Sequence, residues 1–121
     1  MDLDENTAIA DASAAAGAWL GQLDAGEVEA SWEASSSLFR QVVDLAHWRE
    51  SFEKVRSIFG RTLRRELGDV RYATTVPGAP DGEYVISEYA AELERKKDAV
   101  ETVVAMREAD GSWHVGGYFV R

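Results

Sequence analysis

The chain has 121 residues, no cysteine and a formal net charge of −9. Its length suits one domain that buries roughly two-thirds of the surface the unfolded chain exposes. The missing thiols exclude disulfides, a thiolate nucleophile and sulfur-ligated zinc or iron.

The charge is uneven. Residues 1–60 hold eleven acids and four bases, whereas residues 61–121 hold eleven acids and nine bases. Such a field repels phosphate backbones and anionic lipid, which argues against a nucleic-acid or membrane partner. The longest apolar run, ASAAAGAWLGQL, is too short for a membrane span and lacks the basic flank of a signal peptide. The basic clusters RTLRR (61–65) and ERKK (94–97) read as solvated strand ends.

Residues 1–6, MDLDEN, read as a polar, flexible terminus. From Thr7, with Asn6 or Thr7 as cap, Ile9, Ala12, Ala16, Trp19, Leu20 and Leu23 recur at helical spacing. Gly26 suits the left-handed residue that ends this helix. A second short helix follows with Val28, Trp32, Leu38 and Phe39, weakened by ASSS at 34–37, whose hydroxyls compete for backbone hydrogen bonds. Asp44 caps a third helix, striped by Leu45, Trp48, Phe52, Val55, Ile58 and Phe59 and closed by Gly60; the stripe reads as core packing.

Beyond Gly60 the period changes to two. TLRREL and VRYATTV form one strand interrupted at Gly68 and Asp69 by a bulge or bend. After the turn VPGAPDGE come strands over 83–93, 98–109 and 112–121, the last two joined by a DG hairpin. Strict alternation puts Val100, Thr102, Val104 and Met106 opposite Ala99, Glu101, Val103 and Ala105. It puts Trp113, Val115, Gly117 and Phe119 opposite His114, Gly116, Tyr118 and Val120. Both faces carry apolar residues, so one takes the helices and the other is a cavity or an interaction surface. The expectation is a single α+β domain over 1–121, with three N-terminal helices packed on a bent four-stranded antiparallel sheet.

Several segments together, WLGQLDAGEVEASW, WRESFEKVRSIFG, PDGEYV, K-x-x-AVETV and DGSWHVGGYFVR, resemble the bacterial family called domain of unknown function 4019. The resemblance covers about residues 10–121. It implies a cystatin-like, nuclear-transport-factor-2-like cone, in proteins often exported and sometimes joined to DNA-binding modules, with no established activity. That superfold hosts enzymes and binding domains alike, so fold does not choose among them.

Proton-transfer chemistry in a pocket between helices and sheet would use Glu101 or His114 as base, with Tyr84, Tyr89 or Tyr118 as hydrogen-bonding neighbours. Each has a quieter reading. Glu101, on an apolar face, needs a partner such as Arg64, Arg65, Lys96 or Arg107 and reads as a structural ion pair. His114 has no acids or histidines at ligand spacing and reads as structural. The glycines of GGYF precede no helix, so they present no phosphate site; they permit a kink that leaves room for Trp19 or Trp48. No metal or cofactor is expected from two histidines so far apart in the chain.

The leading expectation is a noncatalytic binding or assembly domain that forms a homodimer through the outer sheet face, with Tyr84, Ile86, Val103 and Tyr118 at the contact. The alternatives are a small-molecule isomerase or dehydratase, and an envelope carrier of a small-molecule ligand.

Overall fold

The computed structural model describes residues 3–121. Four helices precede four strands: α1 (Leu3–Asp24), α2 (Val28–Ala34), α3 (Ser37–Val42), α4 (Leu45–Phe59), β1 (Thr62–Ala73), β2 (Tyr84–Leu93), β3 (Lys96–Arg107) and β4 (Trp113–Val120). The strands make one antiparallel sheet in the order β1-β2-β3-β4. The fold class is therefore the expected α+β, with helices on the N-terminal side.

Two helix boundaries differ from expectation. Residues 3–6 already belong to α1, so neither Asn6 nor Thr7 caps it; residues 1 and 2 lie outside the described residues. The expected second helix is two. Ser35 (φ −72°, ψ 164°) and Ser36 (φ −62°, ψ 155°) are extended, and the Ser36 hydroxyl caps α3 by accepting from the Phe39 amide at 3.1 Å. Ser35 bridges Val115 of β4, and the Ser36 amide donates to the Val115 carbonyl at 2.8 Å. The competition that hydroxyls offer to helical bonding is resolved here by breaking the helix.

Asp44 caps α4 as expected, accepting from the His47 amide at 2.8 Å. Gly60 ends it at φ 77°, where a Cβ would also meet the Cβ of Glu94 at 2.6 Å, so both conformation and space require glycine.

The helix α1 crosses all four strands. Its N-terminal half presents Ala8 and Ala12 to Val85, Ala105 and Trp113, small residues that let the helix lie close to the sheet. Its C-terminal half puts Ala16, Trp19, Leu20 and Leu23 against Val103, Tyr89 and Val115. Burying a leucine as fully as Leu20 stabilises the fold by about 2–5 kcal/mol relative to alanine. The helix α4 packs chiefly on α2 and stands off from the sheet. Of its apolar stripe only Trp48 is buried; Ile58 is exposed and Phe52, Val55 and Phe59 are half-buried. The stripe is thus core seam in part, with Trp48 and Phe52 in the cluster around Trp19 and Phe59 against Leu93, and in part the wall of a gap.

The β1 register shifts between Leu67 and Val70, the bulge expected at Gly68 and Asp69. Another shift falls in β4, where Val104 pairs with Gly117 but Ala105 pairs with Val115. Gly116 is the extra residue, and it reverses the alternation beyond it. Strict alternation put Trp113 and Phe119 on one face. The structure instead turns Trp113, Val115, Tyr118 and Val120 toward the helices and Gly117 and Phe119 outward. A Cβ on Gly116 would lie 2.9 Å from Met106 Sδ and 3.1 Å from Ser36 Oγ, so this glycine makes room for the α3 cap rather than for Trp19 or Trp48.

Candidate functional site

Glu101 sits at the centre of β3 on the inner face and is wholly buried. Arg65, placed on the same face of β1, reaches it past β2. The Nε donates to Oε1 at 2.6 Å and Nη2 donates to Oε2 at 3.1 Å. The same guanidinium holds Asp24 at the end of α1 with Nη1–Oδ2 2.7 Å and Nη2–Oδ1 3.0 Å. The Tyr118 hydroxyl donates to Glu101 Oε2. Arg65 was one of four basic residues proposed as partner for Glu101, and the register selects it.

Burial alone would ease the proton off Arg65, but the bonds from Asp24 and Glu101 outweigh it and push its pKa up, so it is a fixed cation. Burial, then the adjacent Glu101 charge, push the Tyr118 phenol above its ordinary value. Both Glu101 oxygens thus accept from fixed donors, and the wholly buried carboxylate presents no surface to solvent. Tyr89, also on the inner face, is pushed up by burial.

Between α4 and the sheet the gap forms a cavity of about 260 Å³. Trp48, Phe52, Val55 and Phe59 wall it from α4, and Arg65 and Tyr118 lie on the sheet side. Asp24 contributes from the end of α1, with its side chain 39% exposed. Behind the wall three indoles are anchored by backbone and serine. Trp19 Nε1 donates to the Ser31 carbonyl at 2.9 Å, Trp48 Nε1 to Ser31 Oγ at 3.0 Å, and Trp32 Nε1 to the Val43 carbonyl at 2.8 Å. Trp19 packs on Trp48 and on Tyr118 with ring centroids 5.8 and 5.4 Å apart. Ser31 and Ser35 are thus engaged with the indoles and with the backbone of α2.

His114 lies outside this cluster. It is half-buried on the other face, where Nδ1 donates to the Ala34 carbonyl at 2.9 Å and Nε2 meets Ser112 Oγ at 2.9 Å. Together with Glu108, which accepts from the Ser37 amide at 2.7 Å, it ties the α2–α3 junction to the β3–β4 hairpin. The two base candidates are not brought together. His47 is exposed and pairs with its helix cap Asp44. Among the described residues no three His, Cys, Asp or Glu side chains are grouped to hold a metal ion, and no helix is long and apolar enough to cross a membrane.

The four residues expected at a partner contact divide between the faces. Val103 and Tyr118 are inner, in the core with Trp19. Tyr84 and Ile86 are outer but buried beside the loop 74–83, with the Tyr84 hydroxyl bonded to the Pro80 carbonyl. A large apolar side chain open on that face is Phe119, 62% exposed, beside half-buried Val100 and Val104 and exposed Ala90. Alternation hid Phe119 because the Gly116 bulge precedes it. Asp24 went unnoticed because nothing in its neighbourhood marks an inward-reaching acid.

Fold and site define an α+β domain with a sealed acid–arginine–tyrosine cluster beneath an aromatic cavity. A family model described as protein of unknown function (DUF4019) matches residues 15–118, and the chain belongs to that family. No curated protein and no solved structure matches it significantly.

Proposed function

We propose that the protein is a noncatalytic assembly domain, cystatin-like in architecture, that pairs with a second copy through the outer face of its sheet. One observation carries the reading: the outer face is close to charge balance on a strongly acidic molecule. By strand register it bears Arg64, Arg71 and Arg121 against Glu66, Glu88, Glu92 and Asp98, three bases against four acids, on a chain of net charge −9. Two copies repel through their acidic sides, within a Debye length of about 8 Å at physiological salt. Only a face close to balance meets its own copy with little of that penalty, and a two-fold axis can set its arginines against its glutamates.

The apolar centre of this face is Phe119. Beside it opens a groove of about 450 Å³ bounded by Leu38, Val42 and Pro77, able to take side chains from a partner. Four strands about 4.8 Å apart and roughly ten residues long make a face on the order of 600 Å² in projection. The loop 74–83 covers the Tyr84 and Ile86 end of it, so the open part lies below the roughly 800 Å² of accessible surface each partner contributes to a standard interface, and the contact belongs with the weaker, micromolar class. Pairing by edges is disfavoured, since β1 carries two register shifts and many charges and β4 is bridged by Ser35. The sealed Glu101 supports the noncatalytic part.

Sedimentation velocity from about 1 to 100 µM tests the proposal in the range where interfaces of that weaker class associate. The wild-type chain is expected to shift toward twice its monomer mass, and Phe119→Lys to stay monomeric with an unchanged thermal midpoint. A wild-type chain that stays monomeric throughout overturns it.

A further inference from the structure

The geometry points to the cavity between α4 and the sheet as a binding site for a small uncharged ring molecule bearing one hydroxyl group. This goes beyond the assembly role and uses the opposite face of the sheet.

Size comes first. A dry cavity of about 150 Å³ accepts benzene, and drug-sized ligands occupy pockets of about 300 Å³ upward. At about 260 Å³ the space suits one substituted ring. The walls suit a ring as well. Phe52, Trp48 and Phe59 turn aromatic surface into the gap, and Phe39 meets Trp48 edge-on at 5.5 Å. The half-burial of Phe52, Val55 and Phe59 leaves apolar surface that an occupant would cover.

Charge selects against ions. Arg65 and Arg56 balance Asp24 and Glu101 at this end of the molecule, Arg56 being held over the Phe52 ring at 4.9 Å and bonded to the Leu23 carbonyl at 2.9 Å. A ligand anion would meet Asp24 and a ligand cation would meet Arg65, each losing hydration without net compensation. A hydroxyl fits both. Arg65 uses its Nε–H, both Nη2 hydrogens and one Nη1 hydrogen on Glu101 and Asp24, leaving one of its five donors free. The Asp24 oxygens each accept once from Arg65 and keep lone pairs. A ligand hydroxyl can therefore either donate to an Asp24 oxygen or accept from the free Arg65 Nη1 hydrogen, one hydrogen bond in each case. Glu101 and the Tyr118 hydroxyl, already bonded to each other, hold Arg65 in place and do not touch the ligand.

The test uses four probes of one shape on the isotopically labelled full chain: 4-ethylphenol, ethylbenzene, 4-ethylbenzoate and 4-ethylbenzylamine. The phenol is expected to shift the amide signals of Phe52, Gly60 and Arg65 saturably, with a Kd of about 1 mM or tighter for so small a ligand. Ethylbenzene is expected to bind about 3- to 10-fold more weakly, the worth of one hydrogen bond, and both ions weaker still. Val55→Trp, which fills the gap, is expected to lower phenol affinity at least about tenfold. Ser51→Trp at the rim is the second plug should Val55→Trp lose its dispersed native spectrum. Phe119→Lys is expected to bind the phenol as the wild type does, so failure of the assembly reading leaves this one standing. The inference is overturned by absence of saturable shifts, by shifts centred on the outer face, by an ion binding tightest, or by plugged variants that bind unchanged.

Discussion

Replacing Arg65 by methionine removes the cation but keeps most of the stem, and the structure fixes what is left behind. Glu101 loses both guanidinium bonds, at 2.6 and 3.1 Å, and retains only the Tyr118 hydroxyl, in a position with no solvent contact. Removing one partner of a buried pair costs about 3–5 kcal/mol, because the remaining charge is uncompensated. The Asp24 half adds little, about 0–1 kcal/mol, since that carboxylate is 39% exposed and rehydrates. Arg65→Met is therefore expected to lose about 3–5 kcal/mol in urea denaturation. Glu101→Leu leaves Arg65 with Asp24 and is expected to lose less, about 1–3 kcal/mol. The double variant Arg65→Met/Glu101→Leu is expected to be more stable than Arg65→Met alone, because the stranded charge goes with its partner. Additive losses in the cycle, or an Arg65→Met loss below about 1 kcal/mol, would refute the claim that Glu101 is sealed as an ion pair.

The raised pKa of Tyr118 gives a pH signature. Its folded form holds the proton more tightly than the unfolded form, so its contribution is complete below the unfolded value near ~10 and is lost as pH rises above it, at about 1.4 kcal/mol per unit. Urea titrations from neutral to strongly alkaline pH should show that slope, and Tyr118→Phe should flatten it in part, Tyr89 and Tyr72, both also raised, supplying the rest. An unchanged slope in Tyr118→Phe would contradict the assignment. Ser31→Ala strands the Trp48 indole N–H and should cost about 1–3 kcal/mol by thermal denaturation. At Gly116 an added methyl meets the flexible Met106 thioether and the fixed Ser36 cap, so Gly116→Ala should lose about 1–3 kcal/mol, partly restored by Met106→Ala.

What the sequence disclosed and concealed divides along a physical line. Local chemistry was legible: Asp44 as cap, Gly60 as helix end, the hairpin at residues 110 and 111, and the bulge at Gly68 and Asp69 all follow from single residues with one preferred backbone use. The Glu101 pair was legible as a need, since an acid on an apolar face must be compensated, although only the register could choose Arg65. Parity was not legible in β4. The pair Gly116 and Gly117 announced a kink, but apolar residues on both faces gave no signal for which side Tyr118 and Phe119 would take after it. The stripe on α4 was legible as a stripe and as core only for part of its length, because helical spacing specifies which residues share a face and not how much of the space before it another layer fills.

The bulge at Gly116 also explains how one thin sheet serves two surfaces. In β4 the neighbours Tyr118 and Phe119 point to opposite faces, the first pairing across to Val103 and bonding Glu101, the second pairing across to Thr102 in the open. Without the extra residue every later side chain would reverse. Phe119 would then enter the space above Glu101, leaving that carboxylate with Arg65 alone, and the Tyr118 hydroxyl would lie on the outer face. Neither the sealed cluster nor the apolar centre of the outer face survives that exchange. Parity thus requires an extra residue at position 116, and the close approach of Met106 and of the Ser36 cap makes glycine the residue that fits there with least displacement.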